Sequence, residues 1–273
     1  MVHDLIPVLH PEFFPWQMAL YQKWTLKHSC QRAEIVLAST KATQDDIAAH
    51  YHTPAKKMRI TPLGPGNVPE RTERSKVSKD DLAKLHVPFS RYFFTLSTLE
   101  PRKNLTRLFE AMEIVAKEPE LGDVGLVVAG AKGWKEAGIF TKLEASGIAD
   151  RVKFLGYVDD NDLPKLFAAC EAFVYPSIYE GFGLPVLEAM LFGAPVLTSS
   201  QAALMEVGGS IARYFDPLST SDIAQTMISE LKEPRDRSKL LAAGFERASH
   251  FTWDDCASKT LVAFREALKG VRR

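Results

Sequence analysis

The 273-residue sequence has no excess charge of either sign: 34 lysines and arginines balance 34 aspartates and glutamates. No global field draws such a chain to nucleic acid, and that class of partner is set aside. A local anion site is still allowed, because a phosphate needs only a few well-placed donors. Cysteine is scarce. Cys30, Cys170 and Cys256 are odd in number, far apart and in no CxxC pattern, which fits a reducing cytoplasm. Cys170, closing Leu166-Phe-Ala-Ala-Cys170, reads as a small buried hydrophobe. The opening Met1-Val-His-Asp-Leu-Ile-Pro7 lacks the basic start and long apolar run of a secretory signal. No apolar stretch approaches the ~20 residues of a membrane span. The expectation is a soluble cytoplasmic protein, at most peripheral at the inner face of the membrane. There is no internal repeat, no low-complexity tract and no full Gly-x-Gly-x-x-Gly after a first strand, which argues against a Rossmann oxidoreductase.

What is present is material for a core, with 46% hydrophobic and 25% charged residues. From about residue 92 short apolar runs alternate with amphipathic ones: Tyr92–Leu96, Gly125–Ala129, Val152–Leu155, Ala172–Tyr175 and Pro195–Ser199. These runs are short, β-branched or aromatic, and largely unalternated, as strands buried on both faces are. Between them, Leu105, Leu108, Phe109, Met112 and Val115 form the stripe of a helix over Leu105 to Ala116. Repeated strand–helix units imply a parallel α/β sheet, doubly wound, with ligands beyond the carboxyl ends of its strands. Residues 1–63 read as a separate piece: a helix from about Gln17 to Cys30, a strand at Glu34–Ala38, a helix capped near Thr43, and a strand at Met58-Arg-Ile. Two strands and two helices are too few for an independent α/β domain. Residues 64–80 read as a linker, 81–252 as the main domain, and 253–273 as a helix packing back toward the N-terminal part.

Two motifs carry chemistry. Glu180-Gly-Phe-Gly-Leu-Pro-Val-Leu-Glu188 follows a buried strand and so lies at the ligand-bearing edge. Gly181 and Gly183 let the backbone approach a ligand. Pro185 suits the first turn of a helix, whose free N–H groups hold phosphate or sugar oxygens. Glu180 and Glu188 can address opposite ends of an elongated, hydroxyl-rich ligand. The bland alternative is a Gly-Pro turn with two solvated glutamates. The second motif, Thr98-Leu-Glu-Pro-Arg-Lys-Asn104, follows the first strand of the main domain. Pro101 ends that strand and Asn104 is a candidate helix cap. Arg102 and Lys103 then stand at the same sheet edge, where two cations suit a diphosphate. Asp159-Asp-Asn-Asp162 has the look of a metal-binding DxD but reads as a helix start, so no metal is expected. Gly130-Ala-Lys-Gly133 is only a fragment of a nucleotide fingerprint.

Taken in order, Glu-Pro-Arg-Lys-Asn after the first strand, Phe154-Leu-Gly-Tyr-Val-Asp before a helix, and Glu180-x7-Glu188 around Gly-Phe-Gly-Leu-Pro resemble the retaining GT-B glycosyltransferases. More narrowly they resemble the group-1 (family 4) enzymes that include many bacterial mannosyltransferases. The resemblance implies two facing Rossmann-like domains, with the donor bound mainly to the C-terminal one. Here that would mean a GT-B-type donor domain plus a remnant of the N-terminal, acceptor-side domain. It implies that Arg102 and Lys103 contact the donor diphosphate and that Glu180 holds the transferred sugar, helped by the backbone of Gly181, Phe182, Gly183 and Leu184. Glu188 would hold the ribose, and Val158 and Asp160 would lie against the base, where an acid favours guanine. Asp160 reads equally as a helix N-cap. The family often has Arg at the position of Thr98, a role that would pass to Arg102. His3-Asp-Leu-Ile-Pro matches the His-Asp or His-Glu element whose histidine faces the sugar, so His3 joins Arg102, Lys103 and Glu180 as the expected catalytic set.

The implied activity is transfer of mannose from GDP-mannose, ahead of a UDP-sugar, to a glycan or lipid-linked acceptor in polysaccharide biosynthesis, without a cofactor. An alternative is a nucleotide-sugar-binding half that is inactive until a partner chain, or self-association, supplies the N-terminal domain. A glycosidase using Glu180 and Glu188 as its acid pair is the third class; it would need no nucleotide.

Overall fold

The computed structural model describes residues 1–66, 69–134 and 136–271. Asn67 and Val68 of the expected linker, and the terminal Arg272 and Arg273 of the expected last helix, lie outside them.

The N-terminal region holds α1 (Ile6–Leu9), α2 (Trp16–Arg32), β1 (Val36–Ala38), α3 (Lys41–Tyr51) and β2 (Met58–Ile60). β1 and β2 pair in parallel, and Val2 bridges to Ala38 so that the first residues extend this small sheet. Its core gathers Val2, Leu5, Cys30, Val36, Ala38, Ile47, Tyr51 and Met58. The helix expected to be capped near Thr43 is capped one turn earlier, by the Thr40 hydroxyl accepting from the Thr43 N–H.

The main domain continues through α4 (Lys79–Lys84), β3 (Arg91–Leu96), α5 (Leu105–Lys117), β4 (Val124–Ala129), α6 (Ala137–Glu144), β5 (Val152–Gly156), α7 (Leu163–Ala169), β6 (Ala172–Tyr175), α8 (Leu184–Leu191), β7 (Val196–Ser199), α9 (Ala202–Gly208) and β8 (Arg213–Phe215). Three helices close the chain: α10 (Thr220–Lys232), α11 (Arg237–Ala248) and α12 (Trp253–Val271). The six strands β3–β8 form one parallel sheet in the order β5-β4-β3-β6-β7-β8.

The central strand β3 shows why apolar runs rather than alternating ones mark this sheet. Tyr92 and Phe94 enter one core, with Phe167 and Phe173, while Phe93 enters the other, with Phe109 and Leu126. Each fully buried aromatic or aliphatic side chain contributes roughly 1.5–3 kcal/mol relative to exposure. The expected α5 stripe is buried in full, from Leu105 through Val115. β8 escapes a periodicity reading because three residues at a sheet edge are too few to show one.

The topology places the site. From β3 the chain winds outward to β4 and β5, then returns to pair β6 with β3 and winds the other way. Adjacent strands that leave in opposite directions open a crevice at their carboxyl ends. The N-terminal region closes over that crevice. α12 also reaches back to that region: Glu266 pairs with Arg59 in β2, and the Trp253 indole N–H donates to the Pro65 carbonyl at 2.7 Å. No helix among the described residues is long and apolar enough to cross a membrane.

Candidate active site

A cavity of about 410 Å³ occupies the crevice. Its floor is the ends of β3, β4 and β6, contributing Ser97, Thr98, Gly130 and Tyr175. One wall is the turn from Glu180 to Pro185, and the facing wall is His3, Asp4 and Ser39 from the N-terminal region. Thus His3, Lys103, Glu180, Gly181, Phe182, Gly183 and Leu184, drawn from three distant parts of the sequence, line one space.

At its base a hydrogen-bonded charge cluster is buried. Glu180 Oε1 receives Lys103 Nζ at 2.7 Å, Arg102 Nη1 at 2.7 Å and the Tyr175 hydroxyl at 2.8 Å. Lys103 Nζ also donates to the Tyr175 oxygen at 2.7 Å. Burial alone would raise the Glu180 carboxyl, but the Lys103 and Arg102 charges outweigh it and hold the group down at about 2. For Lys103, burial works against the charge and Glu180 more than compensates, so the ammonium is held above its usual range.

Arg102 departs from its expected place. Its guanidinium pairs with Glu100 and Glu180 and donates to the Tyr179 carbonyl at 2.9 Å, and its side chain is not part of the cavity lining. It is therefore placed to position Glu180, while Lys103 reaches the cavity. The turn is neither solvated nor basic on balance, because Arg102 and Lys103 face Glu100 and Glu180.

The Glu180–Leu184 turn is clamped from the N-terminal side. The Gly181 carbonyl accepts from the hydroxyls of Ser39 at 2.9 Å, Thr40 at 3.0 Å and Thr43 at 3.3 Å. The Ser39 hydroxyl shares its one proton between that carbonyl and the His3 carbonyl, also at 2.9 Å, and the Val2 N–H bonds Leu37, so the backbone at His3 is fixed although the residue is exposed. A Cβ at Gly181 would stand 2.0 Å from the His3 carbonyl oxygen, so only glycine lets the two walls meet. Gly183 has φ +104°, the left-handed region that favours glycine, and ends the turn where α8 begins. Phe182 packs edge-to-face on Phe251 and anchors the turn from below. Asp4 is spoken for locally: its carboxylate accepts from the Ile6 N–H at the start of α1 at 3.0 Å, and burial raises its pKa.

The residues expected around the nucleoside form a second group outside this cavity. Glu188, on α8, accepts from the Gly66 N–H; burial, with Asp160 adding repulsion, raises its carboxyl to about 7. Val158 is half-buried against the core beside them. Asp160 does not cap α7, whose N-cap is Asp162 without a side-chain cap bond. Among the described residues no group of three or more His, Cys, Asp or Glu side chains is placed to hold a metal ion, and Asp162 pairs with Lys165.

Asn104 corrects its expected role. It takes the left-handed conformation at φ 60° and makes no side-chain cap to α5. Its amide donates instead to the carbonyls of Pro176 at 3.1 Å and Pro217 at 2.7 Å, tying the loops after β3, β6 and β8 together. Sequence reasoning passed over Tyr175, Glu100, Ser39 and Thr40 as site residues, and read Thr43 only as a helix cap. Tyr175 and Glu100 stood at or inside the quoted motifs and were legible by position. The hydroxyls after β1 carried no local signal.

A family model described as glycosyl transferases group 1 matches residues 81–247. The O-antigen chain mannosyltransferase B of Escherichia coli is 31% identical over 264 residues, covering 96% of this chain and 68% of that protein. The serotype-specific mannosyltransferase WbdA of Escherichia coli is 26% identical over 273 residues, and there the chain spans only 33% of its relative's length. Among solved structures, the sucrose-phosphate synthase of Thermosynechococcus elongatus has a TM-score of 0.73 at 22% identity, over 92% of this chain and 62% of that one. The Anabaena protein HepE, in complex with UDP and glucose, has a TM-score of 0.71 at 22% identity, over 98% and 70%. These structural likenesses carry the fold alone: an α/β architecture built on a six-stranded parallel sheet, as in GT-B glycosyltransferase structures.

Proposed function

Because the chain belongs to the group 1 glycosyl transferases, we propose that its crevice binds a nucleotide sugar and that the sugar passes, with retention, to a glycan or lipid-linked acceptor. The proposed donor is GDP-mannose. Relatives named as mannosyltransferases support the sugar. Asp160 supports the base, since a carboxylate accepts from guanine N1–H and N2–H.

The observation that carries this reading is the convergence of Lys103, Glu180 and the start of α8 at one crevice. Lys103 has three N–H donors and spends two on Tyr175 and Glu180, leaving one for a phosphate oxygen. The first turn of α8, uncapped by any side chain, adds the Leu184 N–H for the same anion, since Pro185 has none and the Val186 N–H bonds the Gly183 carbonyl. Glu180, kept ionised and rigid, accepts from the sugar hydroxyls. In the proposed reaction the bond from the anomeric carbon to the diphosphate oxygen breaks while the acceptor oxygen bonds that carbon on the same face. The acceptor proton passes to the departing phosphate oxygen, and Lys103 stabilises the charge that grows there. His3 faces the sugar from the opposite wall.

Calorimetric titration with GDP, UDP, GDP-mannose and UDP-glucose tests the reading. Tightest binding of GDP and GDP-mannose is expected. A preference for UDP and UDP-glucose would overturn the donor assignment, and binding of none would overturn the site.

A further inference from the structure

Helix α2 presents a surface that the donor cavity does not use. Its inner side packs Ala19 and Cys30 into the N-terminal region. Its outer side holds large apolar groups in solvent: Trp16 is 70% exposed, Leu20 61%, Tyr21 65% and Trp24 66%. At ~3.6 residues per turn, Leu20, Tyr21 and Trp24 share one face, turned away from Ala19 and Cys30. Single exposed hydrophobes are ordinary, but a contiguous patch of this size marks a contact surface. Trp24 is held in place by its ring stacking on His28, with centroids 5.5 Å apart.

Charge decides what that face meets. Lys23 and Lys27 flank the patch on one side and Arg32 on the other, and the seventeen-residue helix contains no aspartate or glutamate. Outside α2 the chain carries 31 lysines and arginines against 34 aspartates and glutamates, so the positive excess of this helix is not a property of the molecule as a whole. Beside the patch, between α1 and α2, runs a largely apolar groove of about 330 Å³ whose lining includes Pro7, Val8, Trp16, Leu20 and, as its one charged group, Lys23. An anionic phospholipid leaflet meets all three features together. Its headgroups match the cations, its interfacial zone suits Trp and Tyr, and its acyl chains can fill the groove.

We infer that α2 is an interfacial anchor that lies in the headgroup layer of an anionic bilayer, with Leu20, Tyr21 and Trp24 directed toward the hydrocarbon. The inference does not depend on which donor the crevice binds.

Co-sedimentation of the full chain with vesicles tests it, using phosphatidylcholine alone and phosphatidylcholine mixed with phosphatidylglycerol. The wild type is expected to sediment with the mixed vesicles only, and to be released by salt. Leu20→Ser with Trp24→Ser, and separately Lys23→Glu with Lys27→Glu, should each weaken that partition about tenfold or more. Both pairs should leave the melting temperature and nucleotide titration unchanged, because the altered groups touch neither the core nor the cavity. Wild type that ignores both vesicle types, or variants that sediment like wild type, would overturn the proposal. So would sedimentation velocity showing a dimer that Leu20→Ser with Trp24→Ser breaks, since a second copy would then cover the face.

Discussion

Ser39 and Gly181 lie 142 residues apart, and the Ser39 hydroxyl donates to the Gly181 carbonyl at 2.9 Å. This bond joins the N-terminal region to the turn that forms the donor wall. Thr40 and Thr43 approach the same carbonyl, so three hydroxyls share the junction. Ser39→Ala with Thr40→Val should cost about 1–3 kcal/mol of stability, the scale of buried bonds lost. It should also weaken nucleotide-sugar binding, because the turn is no longer held. Chemical denaturation and calorimetry check the two effects, and a variant unchanged in both would remove the clamp from the account.

Lys103→Ala should damage turnover more than ground-state donor binding, since its stabilisation grows with charge on the leaving group. The comparison is kcat against KM in a transfer assay, with folding verified by melting. Truncation also leaves buried Glu180 with one cation fewer, so some loss of stability is expected. Normal turnover in a folded variant would sink the leaving-group role.

Glu180 and Glu188 should give opposite pH signatures. Glu180 is depressed from 4.5 to about 2, so its contribution is present above pH ~4.5 and is lost as pH falls toward 2. Glu188 is raised from 4.5 to about 7, so its contribution is full below pH ~4.5 and is lost as pH rises to 7. Glu188→Gln should therefore stabilise the protein relative to wild type at pH 8 but not at pH 4, by at most ~3 kcal/mol. Denaturation curves at the two pH values decide; an equal effect at both would mean that Glu188 does not titrate in this window.

Much of this was readable from the residues, and the boundary is physical. β3, β4 and β6 announce themselves because strands covered on both faces must be apolar throughout. The meeting of Lys103 with Glu180 follows from their places just after two strands that the topology makes neighbours. Asn104 could not be read correctly, since a cap and a loop tie use the same side chain and the choice rests on carbonyls of Pro176 and Pro217 far along the chain. Arg102 shows the same limit: its spacing put it at the right edge, but Glu100 and Tyr179 turn it away from the cavity. Ser39 and Thr40 follow a three-residue strand and acquire meaning only through Gly181.

Gly181→Ala should be more harmful than an ordinary glycine-to-alanine change. The obstacle is the His3 carbonyl, which is backbone fixed by Ser39 and cannot swing aside. A lowered melting temperature together with weakened donor binding is expected. A variant that melts and binds as wild type would show that the two walls are further apart than the structure places them.

The contact of α12 with the N-terminal sheet has a consequence for how the molecule comes into being. Arg59 and Glu266 are 207 positions apart, so β1 and β2 leave the ribosome long before the helix that braces them exists. Contacts of such span form slowly, because a long loop must close before they are gained. Until synthesis ends, the nascent N-terminal segment has its small sheet uncovered on that side, a condition that favours capture by chaperones or mispairing with other chains.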